Sequence, residues 1–208
     1  MESRKRTGFL AKWILLTIAS MFLYNVTLYF GLRGWLAQLA SAAGPSLQNP
    51  LSTAIALAIQ LSMIGFSQWL LIRNRFERAY YWIALPALGQ FAVGFVFTLA
   101  GLESKLAGLL TSLNIVLTSL PGFLETIPVL ILSSSIVAVF HSMAMASWSD
   151  RPFLWIPIYV SARLIGFVVF FFLSMILHDV TFAIVTGLGF NYLISRREQP
   201  SGAPSSAS

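Results

Sequence analysis

The sequence predicts an all-α integral membrane protein: six transmembrane helices in three repeated helical hairpins, both termini cytoplasmic, with interfacial helices on the outer face. Three observations predict this. The 208 residues are 57% hydrophobic and only 10% charged, where a soluble domain carries about 25% charged residues. Apolar runs recur along the chain, each reaching the roughly 18 residues needed to cross hydrocarbon, and the mean hydropathy is +0.80. A pattern also recurs after 73 residues: Gln68 precedes Trp82-Ile83 by the same 14 positions by which His141 precedes Trp155-Ile156, with Arg78 and Arg151 in the two linkers.

The spans are expected at 9–31, 52–73, 80–102, 123–147, 154–177 and 180–195. The first follows a basic start (Arg4, Lys5, Arg6) and runs on through Tyr24, Asn25 and Tyr29 to Gly31. That is too long for a signal-peptide core, so it reads as an uncleaved signal anchor. The ambiguous stretch is 103–122, where Leu106, Leu109, Leu110, Leu113, Leu117 and Leu120 recur at helical spacing before Pro121-Gly122. It reads as a seventh crossing, a re-entrant piece or an interfacial helix. Charge favours six spans. With six, ten Lys and Arg residues fall on the cytoplasmic side, Arg33 and Lys105 on the outer side, and Arg163 inside the membrane. A seventh span would reduce that bias to 7 against 5, so the positive-inside rule assigns 103–122 to the outer face. The corresponding stretch 31–51 carries a short stripe, Leu32, Trp35, Leu36 and Leu39, ended by Gly44-Pro45 and Asn49-Pro50. In the third hairpin the outer segment shrinks to His178-Asp179. The tail 196–208 is Ser-, Pro- and Ala-rich and reads as a disordered cytoplasmic tail. The rest, 1–195, is one polytopic domain.

The net charge of +6 does not indicate nucleic acid, because the basic residues sit at the ends of apolar runs rather than in a patch. The lipid bilayer is the expected partner, with a larger membrane complex beside it. The absence of cysteine excludes disulfides, thiolate metal sites and cysteine nucleophiles.

The run Gly65-Phe66-Ser67-Gln68-Trp69-Leu70-Leu71-Ile72-Arg73, then Tyr80-Tyr81-Trp82-Ile83 and Gly89, with Thr186-Gly187-Leu188 near the end, resembles a group of uncharacterised multi-span proteins common in cyanobacteria. Those carry a twice-repeated Gly-x-x-Gln-Trp-Leu-x-Leu-Arg pattern. The resemblance covers residues from about 60 to 195 and implies an integral protein of a bacterial plasma (inner) membrane or thylakoid membrane. It brings no activity with it. The second copy departs from the pattern, with His141-Ser142-Met143 where Gln-Trp-Leu would stand.

Arg163 is the sharpest candidate for a ligand site. It falls about 15 Å inside the fifth span, and a charge at such depth usually faces a bundle interior. A clamp for a carboxylate or phosphate is one reading; a side chain that snorkels to the interface is the other. Gln68 and His141 occupy equivalent repeat positions, and Tyr192 and Gln90 complete a polar layer open to the cytoplasm. The plainer alternative is that these side chains make inter-helix hydrogen bonds. Ser67 and His141 suggest the dyad of an intramembrane serine protease, but the sequence offers no oxyanion hole. No cofactor is expected; a lone His141 or His178 as axial ligand to chlorophyll or haem is the one exception weighed. The six tryptophans lie near span ends, where an interfacial belt is expected.

The sequence therefore leads to a non-enzymatic membrane protein, either an accessory or assembly subunit of a membrane complex or a small-ligand binding module. The rival is a transporter or substrate-capture component for an amphipathic anion held by Arg163. An intramembrane lipid-acting enzyme is the weaker alternative.

Overall fold

A backbone inside hydrocarbon has to satisfy its own polar groups, and helices do so within one segment. The computed structural model, which describes residues 2–101, 105, 121–173 and 175–195, is helical throughout its apolar runs. Helix α1 (Glu2–Thr27) passes through a π-helical turn (Leu28–Leu32) into α2 (Arg33–Ser41). There follow α3 (Pro45–Ile72), α4 (Tyr81–Ala100), α5 (Pro121–Met145), a 3-10 turn (Pro152–Leu154), α6 (Trp155–Phe172) and α7 (Met175–Ser195). Six helical segments among the described residues are long and apolar enough to cross a membrane, which makes this a multi-pass membrane protein.

The helix ends follow from local chemistry. Gly44 takes a φ of 87°, a left-handed setting that glycine adopts without a Cβ clash. Pro45 then opens α3 at a first-turn position where its missing N–H costs nothing. The expected stop at Asn49-Pro50 is not one: Pro50 lies buried inside α3. Gly44 separates α2 from α3, and α3 starts at 45 rather than at the expected 52. At 28 residues α3 is about 42 Å long, so its first turns extend beyond a hydrocarbon core of about 30 Å. Helix α2 packs on those turns through Leu36 and Ala40, and Gln48 Nε2 donates to Ala37 O at 3.2 Å. Gly101 ends α4 in the left-handed conformation, its N–H directed to Phe97 O and Thr98 O.

A second boundary also differs from the sequence reading. The turn between the last two spans comes at Leu173, whose φ of −126° and ψ of −71° leave the helix. His178 and Asp179 are already within α7, where His178 Nδ1 lies 2.9 Å from Asp179 Oδ1. Pairing with each other lets the two polar side chains sit in a packed helix. Segment 103–122 falls almost wholly outside the described residues, as does the tail 196–208.

The six long helices close into a ring. Helix α1 packs on α3, α3 on α4, α4 on α5, α5 on α6, α6 on α7, and α7 returns to α1. Small residues set the closest approaches, as they do where lipid gives no hydrophobic drive to association. A Cβ on Gly65 would lie 3.0 Å from Trp82 O, so α3 and α4 meet at backbone distance. The outside of the ring is apolar, with Leu15, Phe22, Leu88, Ile131, Ile165 and Leu188 all exposed, as contact with lipid requires. Arg73, Arg75, Arg78 and Arg151 gather at one end, in the two loops on that side.

Candidate functional site

That basic end of the ring holds the densest side-chain cluster. Trp82 begins α4, Trp155 begins α6, and Trp13 lies three turns into α1. All three are almost fully buried, and so is Trp148. Trp82 is the hub. Its ring centroid lies 6.0 Å from Trp13, 5.8 Å from Trp148, 5.5 Å from Trp155, 5.2 Å from Phe190 and 5.0 Å from His141. Phe190 of α7 stacks on Trp13 at 4.4 Å. Gly187, one turn earlier, makes room for that indole: a Cβ there would meet Trp13 Cδ1 at 2.9 Å. The starts of three helices thus interlock with the ends of the other three in one layer. Four tryptophans expected in an interfacial belt form the core instead. An indole is large enough that burying it outweighs its affinity for the interface, and accommodating its N–H adds to the gain.

Gln68 provides that accommodation once. Trp82 Nε1 donates to Gln68 Oε1 at 2.8 Å, and Gln68 Nε2 donates to Thr17 Oγ1 at 2.9 Å. One amide thereby ties α1, α3 and α4 together. The repeat would have His141 do the same for Trp155, and it does not. His141 Nδ1 lies 3.2 Å from Val137 O in its own helix. A carbonyl only accepts, so this nitrogen carries the proton and Nε2 is left as the acceptor. Trp155 Nε1 is buried with no partner among the described residues, as is Trp13 Nε1. His141 is enclosed by aromatic rings: Trp82 at 5.0 Å, Tyr159 at 4.9 Å and Trp155 at 5.9 Å. A tetrapyrrole would reach His141 Nε2 only by displacing them.

Of the residues singled out from sequence, Gln68 and His141 come together around Trp82, in a layer sealed by rings rather than open to the cytoplasm. Tyr192 does not join them. It is 46% exposed and lines a groove of about 540 Å³ on the outer side of α6 and α7, with Leu154, Pro157, Ser161 and Gly189. Phe190, two residues earlier, takes the inward place. Gln90 is half-buried beside Gly89, which itself abuts Phe140. Ser67 and His141 form no dyad: Ser67 Oγ donates to Ile64 O at 2.8 Å.

Arg163 is half-buried, one turn beyond Tyr159 on the same face of α6. It stands eight residues past Trp155, about 12 Å further along the helix axis. The carboxylates whose side chains are described lie elsewhere: Glu77 and Asp150 in the basic-end loops, and Asp179 beside His178.

Sequence reasoning missed Thr17, Phe190 and Ser134. Ser134 is 4% exposed on α5, and its hydroxyl has no hydrogen-bond partner among the described residues. A signal for the main contact was present, since a glutamine and a tryptophan kept at a fixed separation on either side of a tight turn are placed to touch.

No protein-family model matches the chain, and no curated protein and no solved structure does either.

Proposed function

We propose that this protein is a non-catalytic integral membrane subunit, an accessory or assembly component of a larger membrane complex. It would be built as three repeated hairpins with both termini cytoplasmic, in a bacterial plasma or thylakoid membrane. One observation carries the reading: the buried amide at the centre of the basic end is spent on structure. Gln68 makes two inter-helix bonds, to Thr17 and Trp82, and aromatic rings fill the space that a polar pocket would need. The aromatic layer favours a rigid scaffold over a reaction chamber. The basic loops bearing Arg73, Arg75, Arg78 and Arg151 favour a cytoplasmic position for this end. Affinity purification of the full chain from its native membrane in mild detergent tests the proposal. Reproducible partner proteins are expected, and a lone chain would count heavily against a subunit role.

A second reading has its own observation. Arg163 lies at mid-depth with none of the described carboxylates beside it, which favours capture of an amphipathic anion from the bilayer. The lipid-acting enzyme gains no such support, since the Ser67 hydroxyl is committed to Ile64 O.

A further inference from the structure

Helices α5 and α6 pack side by side and run in opposite directions, and the contacts of His141 fix their register. His141 touches both Trp155 and Tyr159, so its level lies between theirs, about 3 Å beyond Trp155 along α6. Ser134 is seven residues before His141, two turns away on the same face of α5. That places it about 10 Å further outward, at about 13 Å on the same scale. Arg163 stands at about 12 Å, one turn beyond Tyr159. The column Tyr159–Arg163 and the column His141–Ser134 therefore rise together, and their outer members meet at one depth.

The chemistry at that depth is one-sided. In a run of three serines, Ser133 Oγ donates to Leu130 O at 3.1 Å and Ser135 Oγ to Ile131 O at 2.7 Å. Ser134 Oγ, between them and buried, donates to no described residue. A guanidinium has donors only, so it supplies no acceptor for the serine proton. The serine oxygen can accept one guanidinium N–H, but the serine proton and the remaining guanidinium donors still need acceptors, and in hydrocarbon water does not provide them cheaply.

We propose that Arg163 and Ser134 form a mid-membrane site for the carboxylate of a single-chain amphiphile. The guanidinium would hold the carboxylate through paired N–H bonds, the geometry that arginine favours with this group, and the Ser134 hydroxyl would give a further bond to the same anion. The depth argues against a phospholipid head group, which stays at the membrane surface. The lipid-facing residues of α5, Ile131 and Leu132, are exposed, so an alkyl chain lying in the bilayer has a route to this level. The proposal rests on the anion-capture reading and adds to it the serine and the ligand class.

The test uses the full chain in lipid nanodiscs and radiolabelled laurate in a scintillation proximity assay. Saturable binding is expected. Arg163→Gln should weaken it by at least about thirtyfold and Ser134→Ala by about tenfold, the loss of charge-assisted bonds. Ser133→Ala should leave it unchanged, and Arg163→Lys, which keeps the charge without the fork, should fall between wild type and Arg163→Gln. Dodecanol and acetate should not displace laurate. If Arg163→Gln weakens binding and Ser134→Ala does not, the paired site is overturned while anion capture stands. If the wild-type chain binds no laurate, or neither variant changes binding, both fall. Displacement by dodecanol would overturn the carboxylate assignment, and displacement by acetate the amphiphile.

Discussion

Trp82 Nε1 donates to Gln68 Oε1 at 2.8 Å, whereas Trp155, its counterpart 73 residues later, has no acceptor for the same indole N–H among the described residues. Each of the two tryptophans stands at the start of a helix, and they are buried to the same degree. What differs is the partner 14 residues earlier: an amide that reaches across in one case, and in the other an imidazole bonded back to its own helix.

Replacing Gln68 with Leu should therefore be costly for its size. It removes two inter-helix bonds, worth about 1 kcal/mol each in a membrane bundle, and strands an indole N–H and a threonine hydroxyl. We expect a loss of about 2–4 kcal/mol once the stranded groups are counted. The drop in unfolding midpoint in detergent measures it. A double-mutant cycle with Trp82→Phe should return a coupling energy, and complete additivity would refute the bond.

The second copy makes the opposite prediction. His141→Gln places the first copy's acceptor beside the unpaired Trp155 and should stabilise the protein by about 1 kcal/mol. Indole N–H resonances in an NMR spectrum of tryptophan-labelled protein should show one signal move downfield. No change in either measurement would mean that the substituted amide fails to reach across.

Tryptophan truncation should divide sharply by position. Trp82→Ala opens a cavity at the hub of the cluster and should cost about 3–5 kcal/mol. Trp35→Ala, at a side chain 53% exposed, should fall within about 0.5 kcal/mol of wild type. Brominated lipids should quench Trp35 and leave Trp13, Trp82, Trp148 and Trp155 largely untouched. Quenching of all six alike would restore the interfacial belt.

The close approach of α3 and α4 has its own test. Gly65→Val pushes a branched side chain at Trp82 O, which already lies 3.0 Å from the place of a Cβ. It should destabilise by about 1–3 kcal/mol or more, with the loss read as earlier thermal aggregation. Phe66→Ala, at the next residue but on the exposed side of the same turn, is the control and should be mild. Equal losses in the two variants would mean that the backbone contact is not what limits position 65.

Because the chain contains no cysteine, single cysteines report orientation directly. Arg75→Cys and Asp150→Cys should react with a membrane-impermeant maleimide only from the cytoplasmic side, and Gln38→Cys only from the outer side. The reverse pattern would invert the proposed topology.

The long helices were legible in the sequence because the bilayer demands long uncharged runs, and hydropathy records that demand directly. Their ends were less so. Pro50 looks like a stop, yet it stands in the second turn of α3, where its missing N–H forfeits the bond to Ser46 O without ending the helix, and only the positive φ of Gly44 shows where α3 begins. His178-Asp179 looks like a loop because both residues are polar, yet each supplies the other's partner inside α7. The site was half legible. Gln68 and His141 were found through their repeated spacing, but tryptophan near a span end reads the same whether it faces head groups or a core. Tyr192 was placed inward by analogy with the other copies, and Phe190 took the place because an apolar ring fits against Trp13 and Trp82. Ser134 left no trace in the sequence, since a serine with a spent hydroxyl and one with a free hydroxyl are spelled the same way.

The ring closes between α1 and α7, and that fixes an order of events. Trp13 is made with the first of the six described spans, but the ring that stacks on it, Phe190, comes with the sixth. Helices α3 and α4 reach α1 earlier, through Thr17 and the edge of Trp13, but the face of Trp13 on which Phe190 stacks stays open until α7 is made. A chain stopped after α6 would keep the pairs from α1–α3 to α5–α6, lose both contacts of α7, and leave bare the faces of Phe9 and Trp13 that Phe190 covers, a mark by which quality control can tell an unfinished copy from a finished one.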